Sequence, residues 1–91
     1  MMEKYEVYYE KTLIGFLWVN EDYKYRYEPF PEGVEKVKDY ACLLRVMKEG
    51  TDGEFGEPIP FFQERIRYMK LWKLGAINYQ TDNFVITRIE E

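Results

Sequence analysis

The side chains in this chain best suited to chemistry are carboxylates. Asp52, Glu54 and Glu57 lie close together in a segment that also holds Gly50, Gly53 and Gly56. Oxygen ligands on a flexible loop suit calcium or magnesium. Their spacing does not match the helix-flanked calcium loop, and an acidic, solvated loop explains them without a metal. The three glycines lack the following Gly-Lys-Ser/Thr and the strand–loop–helix setting of a phosphate cradle. The chain has no histidine. That removes the commonest general base near neutral pH, the usual nucleophile–histidine pairs and most catalytic zinc sites. Its one cysteine, Cys42, sits between Ala41 and Leu43 and reads as a packed thiol rather than a nucleophile. These residues predict a protein that is not an enzyme and has no cofactor or metal.

A second set of residues suits binding. Arg65, Arg67, Lys70 and Lys73 fall in one predicted helix against Glu64 alone, so that helix carries +3 on a chain of net charge −4 and the remainder carries −7. Arg67, Lys70 and Lys73 flank the apolar stripe, while Leu71 and Leu74 fall outside it. With Tyr68 and Trp72 these residues form the candidate interface: Arg65, Arg67, Tyr68, Lys70, Leu71, Trp72 and Lys73. Such a helix docks on an acidic partner or on phosphates. The plainer reading is a solvated amphipathic helix whose long cations cover its own hydrophobic edge. Four cations are also few for nucleic acid, where tight binders neutralise about 6–10 phosphates.

A third set is aromatic. Tyr5, Tyr9, Tyr23, Tyr25 and Tyr27 share one strand face by alternation, with Lys24 and Arg26 opposite. Exposed, that face could stack bases or meet a protein; covered by helices, it is core. Cross-strand tyrosine packing is the ordinary reading.

The elements that position these sets follow from periodicity. Tyr5 to Glu10 alternates as a half-buried strand, and a turn at Glu10-Lys11 leads into Thr12–Val19. There Ile14, Phe16 and Trp18 alternate with Leu13, Leu17 and Val19, so both faces are apolar and a central, well-covered strand is expected. Gly15 within it predicts a bulge or a close backbone approach. Asn20-Glu21-Asp22 is turn chemistry, and Tyr23–Glu28 alternates again, completing a meander. Pro29-Phe30-Pro31-Glu32-Gly33 stops the sheet. Val34, Val37, Ala41 and Leu44, with Tyr40 and Met47 beside them, predict a helix to about Glu49, stopped by Gly50. A strand through Ala41–Met47 is the rival. Pro58 and Pro60 set up a helix over Phe61–Leu74, ended by Gly75, with a buried stripe of Phe62, Ile66 and Met69 widened by Phe61, Tyr68 and Trp72. Ala76–Gln80, the turn Thr81-Asp82-Asn83 and Phe84–Ile89 form a closing hairpin or one interrupted strand.

The fold class is therefore α+β: a three-stranded N-terminal meander plus a C-terminal strand or hairpin, packed by about two helices in the order β-β-β-α-α-β-β. Residues 1–91 suffice for one domain and not for two separate cores. Aromatic residues make up 19% of the chain, and at about 150–250 Å² buried per ring they supply a core despite the charge. Met1-Met2-Glu3-Lys4-Tyr5 lacks the apolar stretch of a secretion signal, no segment approaches the ~18 apolar residues of a membrane span, and an unpaired cysteine suits a reducing compartment. A cytoplasmic protein without a membrane partner is expected. So small a meander leaves a rim, so a homodimer through a sheet edge is expected as one mode of association. Lys4, Lys24 and Arg26 read as the charges that guard it.

Val7-Tyr8-Tyr9, Ile14-Gly15-Phe16-Leu17 and Tyr25-Arg26-Tyr27-Glu28-Pro29 together resemble the start of the N-terminal subdomain of HipA-type kinase toxins. That family begins with a strand, a turn, a Val-Gly-x-Leu strand and a strand ending in Tyr-x-Pro. Pro60-Phe61-Phe62 is similar to a later Phe-Phe element there. The family's Leu-rich segment, its Leu-Leu-Pro-Glu element and its kinase body are not visible, and the matching positions are structural. The resemblance implies a bacterial-type, free-standing toxin–antitoxin component that acts by binding. The residues themselves predict a small non-catalytic interaction domain with a protein as partner, and a nucleic-acid-associated regulator as the alternative.

Overall fold

Alternation becomes pairing in the order the sequence predicts. The computed structural model describes residues 2–36, 44–79 and 83–89. Strands β1 (Glu3–Tyr9), β2 (Thr12–Val19) and β3 (Tyr25–Pro29) form the meander, and β4 (Phe84–Ile89) pairs antiparallel with β1. The sheet order is β3-β2-β1-β4, which makes β1 and β2 the interior strands. Glu10 and Lys11 both adopt positive φ, 48° and 69°, as a two-residue turn that matches strand twist requires.

Gly15 carries both features expected of it. The β1–β2 register slips there: Val7 faces Gly15 and Tyr8 faces Leu13, leaving Ile14 as the extra residue of a bulge. A Cβ on Gly15 would lie 2.5 Å from the Tyr27 hydroxyl oxygen, so only glycine admits that ring. The bulge also shifts the alternation, placing Ile14 on the same buried side as Leu17 and Val19.

The strand β3 starts later than the Tyr23–Glu28 expected. Asn20 Oδ1 accepts the N–H groups of Asp22 (3.0 Å) and Lys24 (2.9 Å), and this tie holds Tyr23 in a loop at φ 60°. Tyr23 is 54% exposed, whereas Tyr5, Tyr9, Tyr25 and Tyr27 are buried.

Pro31 ends the sheet by opening a helix, α1 (Pro31–Lys36), and α2 (Leu44–Glu49) follows. The expected helix over 34–49 is thus helical where it is described, against the rival strand. Val37, Tyr40, Ala41 and Cys42 lie outside the described residues. Gly50 stops α2 at φ 66°. Helix α3 (Pro60–Lys73) buries Phe62, Ile66 and Met69, the stripe its spacing predicts. It closes as a Schellman motif: Gly75 N–H donates to the Trp72 carbonyl and Ala76 N–H to the Leu71 carbonyl, both at 2.9 Å. In the closing segment Phe84–Ile89 forms the expected strand, whereas Ala76–Tyr79 form none and Tyr79 is buried; Gln80, Thr81 and Asp82 lie outside the described residues.

One core joins these pieces. Tyr5, Val7, Leu17, Tyr25, Tyr27 and Ile86 from the sheet meet Met47, Phe62, Ile66 and Met69 from the helices. Tyr27 packs on Phe62 at 4.8 Å and Phe61 on Phe84 at 5.0 Å between ring centroids. The tyrosine face is the covered face. No helix among the described residues is long and apolar enough to cross a membrane.

Candidate interaction surfaces

The basic helix splits into two parts. Tyr68 and Trp72 pack against the core, and Leu71 is half-buried. Arg65 lies over the rings of Phe61 (5.1 Å) and Tyr68 (5.3 Å), so its guanidinium is stacked along the helix rather than offered outward. Arg67 stands 5.7 Å from Tyr68, whose hydroxyl donates to Glu64 Oε1 at 2.6 Å. That bond to a carboxylate raises the Tyr68 phenol above its usual range. Arg67, Lys70 and Lys73 are exposed, and Leu74 beyond them is 81% exposed. The candidate interface therefore narrows to a ridge of cations ending in one leucine.

Burial defines the tyrosine set differently. Tyr5 donates its hydroxyl to Glu3, Tyr25 to the Tyr23 hydroxyl (3.4 Å) and Tyr27 to the Ile14 carbonyl (3.4 Å). Desolvation pushes all three phenols up, with Glu3 adding to the effect at Tyr5 and Tyr23 at Tyr25. These rings are structural.

The opposite face of the sheet is the surface that sequence reasoning missed. Its members alternate with the core residues and are partly or fully exposed: Lys4, Glu6 and Tyr8 on β1, Phe16 and Trp18 on β2, Arg26 and Glu28 on β3. The register sets them side by side. Lys4 faces Trp18 and Trp18 faces Arg26; Glu6 faces Phe16 and Phe16 faces Glu28. Lys4 Nζ lies 4.2 Å from the Phe16 ring and 5.3 Å from Trp18, and Arg26 lies 4.5 Å over Trp18. Phe30 meets Phe16 edge-on at 5.1 Å. Both apolar faces of β2 were legible, but that among the described residues no helix would pack on one of them was not. The pairing of Lys4 and Arg26 around Trp18 required the register.

Of the cations expected at the sheet edge, Arg26 lies on the edge strand β3 and Lys24 just before it, bonded to Glu57 at 2.9 Å, whereas Lys4 lies on the interior strand β1. Along β3 the loop after α2 does the work. Tyr25 exchanges both backbone hydrogen bonds with Gly56 at 2.9 Å, and Tyr27 exchanges its pair with Thr51. On β4 the outward N–H of Ile86 donates to the buried Tyr79 hydroxyl. Neither rim offers an unbroken row of free backbone groups.

The acidic loop is part of that edge cap. Asp52 and Glu54 are exposed and Glu57 is held by Lys24. An open cleft of about 270 Å³ between β3 and the loop carries Glu28, Glu49 and Asp52 beside Arg26. Among the described residues no three acids or cysteines converge as a metal site.

Comparison with known protein families, curated proteins and solved structures finds no match to the chain.

Proposed function

We propose that the chain is a small non-catalytic interaction domain that docks a protein through the uncovered sheet face. One observation carries this reading: Phe16 and Trp18 stand on a central strand, on the face opposite the core, held between Lys4 and Arg26. Two half-buried aromatics on the face away from the core suit the anchors of a protein interface, and the cations stacked on them shield them from water. The resemblance of the first thirty residues to the HipA-type N-terminal subdomain points the same way, to a component that acts by binding.

A second reading rests on the exposed ridge of Arg67, Lys70 and Lys73, which suits phosphates. Capture experiments separate the two. Tagged wild type is compared with a Phe16→Ser, Trp18→Ser variant and an Arg67→Glu, Lys70→Glu variant, each shown to be folded, at low and high salt. A protein kept by the helix variant and lost by the face variant supports the sheet-face reading. Salt-labile nucleic acid lost by the helix variant supports the second.

A further inference from the structure

On the face opposite the core the strand register sets charged residues in two adjacent rows, joined within the chain by the Arg26–Glu28 ion pair at 3.4 Å. One row runs Arg26, Trp18, Lys4, Ile89 across β3, β2, β1 and β4. The next runs Glu28, Phe16, Glu6, Thr87 across the same strands. The first row is cation–aromatic–cation, and the second is carboxylate–aromatic–carboxylate.

This pattern is complementary to itself. Let a second copy be turned over by a two-fold axis that runs across the strands, between the two rows. Each strand then lies over its own counterpart, and the rows exchange. Trp18 opposes Phe16, Lys4 opposes Glu6, and Arg26 opposes Glu28, each contact occurring twice. Within these two rows no like charges meet. Sheets stacked about 10 Å apart let side chains of this length interdigitate.

We propose that the partner of this face is a second copy of the same chain, joined face to face in that register. The inference rests on the sheet face being the docking surface and names its occupant. Nucleic acid is disfavoured there, because Glu6 and Glu28 flank the aromatics and Lys4 and Arg26 already lie against their rings. Three to four strands spaced about 4.8 Å apart give a small face, at or below the low end of the ~1,200–2,000 Å² buried in stable complexes. The dimer is therefore concentration-dependent rather than obligate.

Complementary charge reversal tests the register. A Lys4→Glu, Arg26→Glu variant makes both rows acidic, and a Glu6→Lys, Glu28→Lys variant makes both basic. In sedimentation across the micromolar to millimolar range, wild type shifts from monomer towards dimer. Each variant alone self-associates more than about tenfold more weakly, and their equimolar mixture forms a heterodimer. Should a double variant fail to fold, Arg26→Glu and Glu28→Arg on the outermost strand repeat the test. Wild type that stays monomeric throughout overturns the self-pairing, and so does a dimer that both reversals leave unchanged. If wild type is monomeric yet the Trp18-containing face is still needed to capture another protein, the docking surface stands and only its occupant is wrong. If the face variant loses nothing in either assay, both readings fall.

Discussion

Thr51 satisfies both outward-facing backbone groups of Tyr27. Its backbone N–H donates to the Tyr27 carbonyl at 3.1 Å, and its hydroxyl accepts the Tyr27 N–H at 3.1 Å. With Gly56 on Tyr25, this bond pair seals the β3 edge, and Pro29 at the strand's end has no N–H to offer. A Thr51→Val substitution keeps the shape and removes the acceptor. It should cost about 1–3 kcal/mol, since a part-buried donor is left unpaired. Amide exchange at Tyr27 should accelerate more than at interior-strand positions such as Leu17.

Gly50 places that threonine. A Cβ there would lie 2.4 Å from the Tyr27 carbonyl oxygen, and φ is 66°. Gly50→Ala should destabilise the fold by at least about 2 kcal/mol, combining left-handed strain with the clash. Thermal unfolding measures it, and the Tyr27 amide should again lose protection.

The β1–β2 turn is suboptimal and can be improved. Glu10 and Lys11 hold left-handed conformations that asparagine and glycine adopt with less strain. A Glu10→Asn, Lys11→Gly variant should gain roughly 1–2 kcal/mol, raising Tm by about 4–8 °C per kcal/mol for a chain of this size.

Alkaline pH should unfold the protein through its tyrosines. Burial raises the Tyr27 phenol well above its ordinary value near 10, so the folded state keeps a proton that the unfolded state releases. The stability this lends is complete below pH 10 and is lost as pH climbs toward the folded value. Tyr5 and Tyr25 act in the same sense. Tyr27→Phe should lessen the fall in stability above pH 10 by up to about 1.4 kcal/mol per pH unit, as read by denaturant titration.

Local pattern made most of this architecture legible. Period two gave the meander and placed Tyr5, Tyr9, Tyr25 and Tyr27 on one face, and Gly15 announced the bulge. Pro60 and Gly75 bracketed α3, and its spacing named Phe62, Ile66 and Met69. What depended on distant pairing was not legible. The acidic residues at 52, 54 and 57 read as a solvated loop, and that this loop closes a sheet edge through Thr51 and Gly56 was not visible. Lys4, Trp18 and Arg26 are far apart in sequence, and only the register of three strands makes them neighbours.

The most direct test of self-pairing through the sheet face is an NMR dilution series on the wild-type protein. Backbone amide and Trp18 indole signals would be followed from the highest soluble concentration downward. Concentration-dependent shifts should cluster at Lys4, Glu6, Phe16, Trp18, Arg26 and Glu28, with Arg67, Lys70 and Lys73 unmoved. Shifts confined to the α3 ridge, or none on the sheet face at any concentration, would contradict self-pairing through that face.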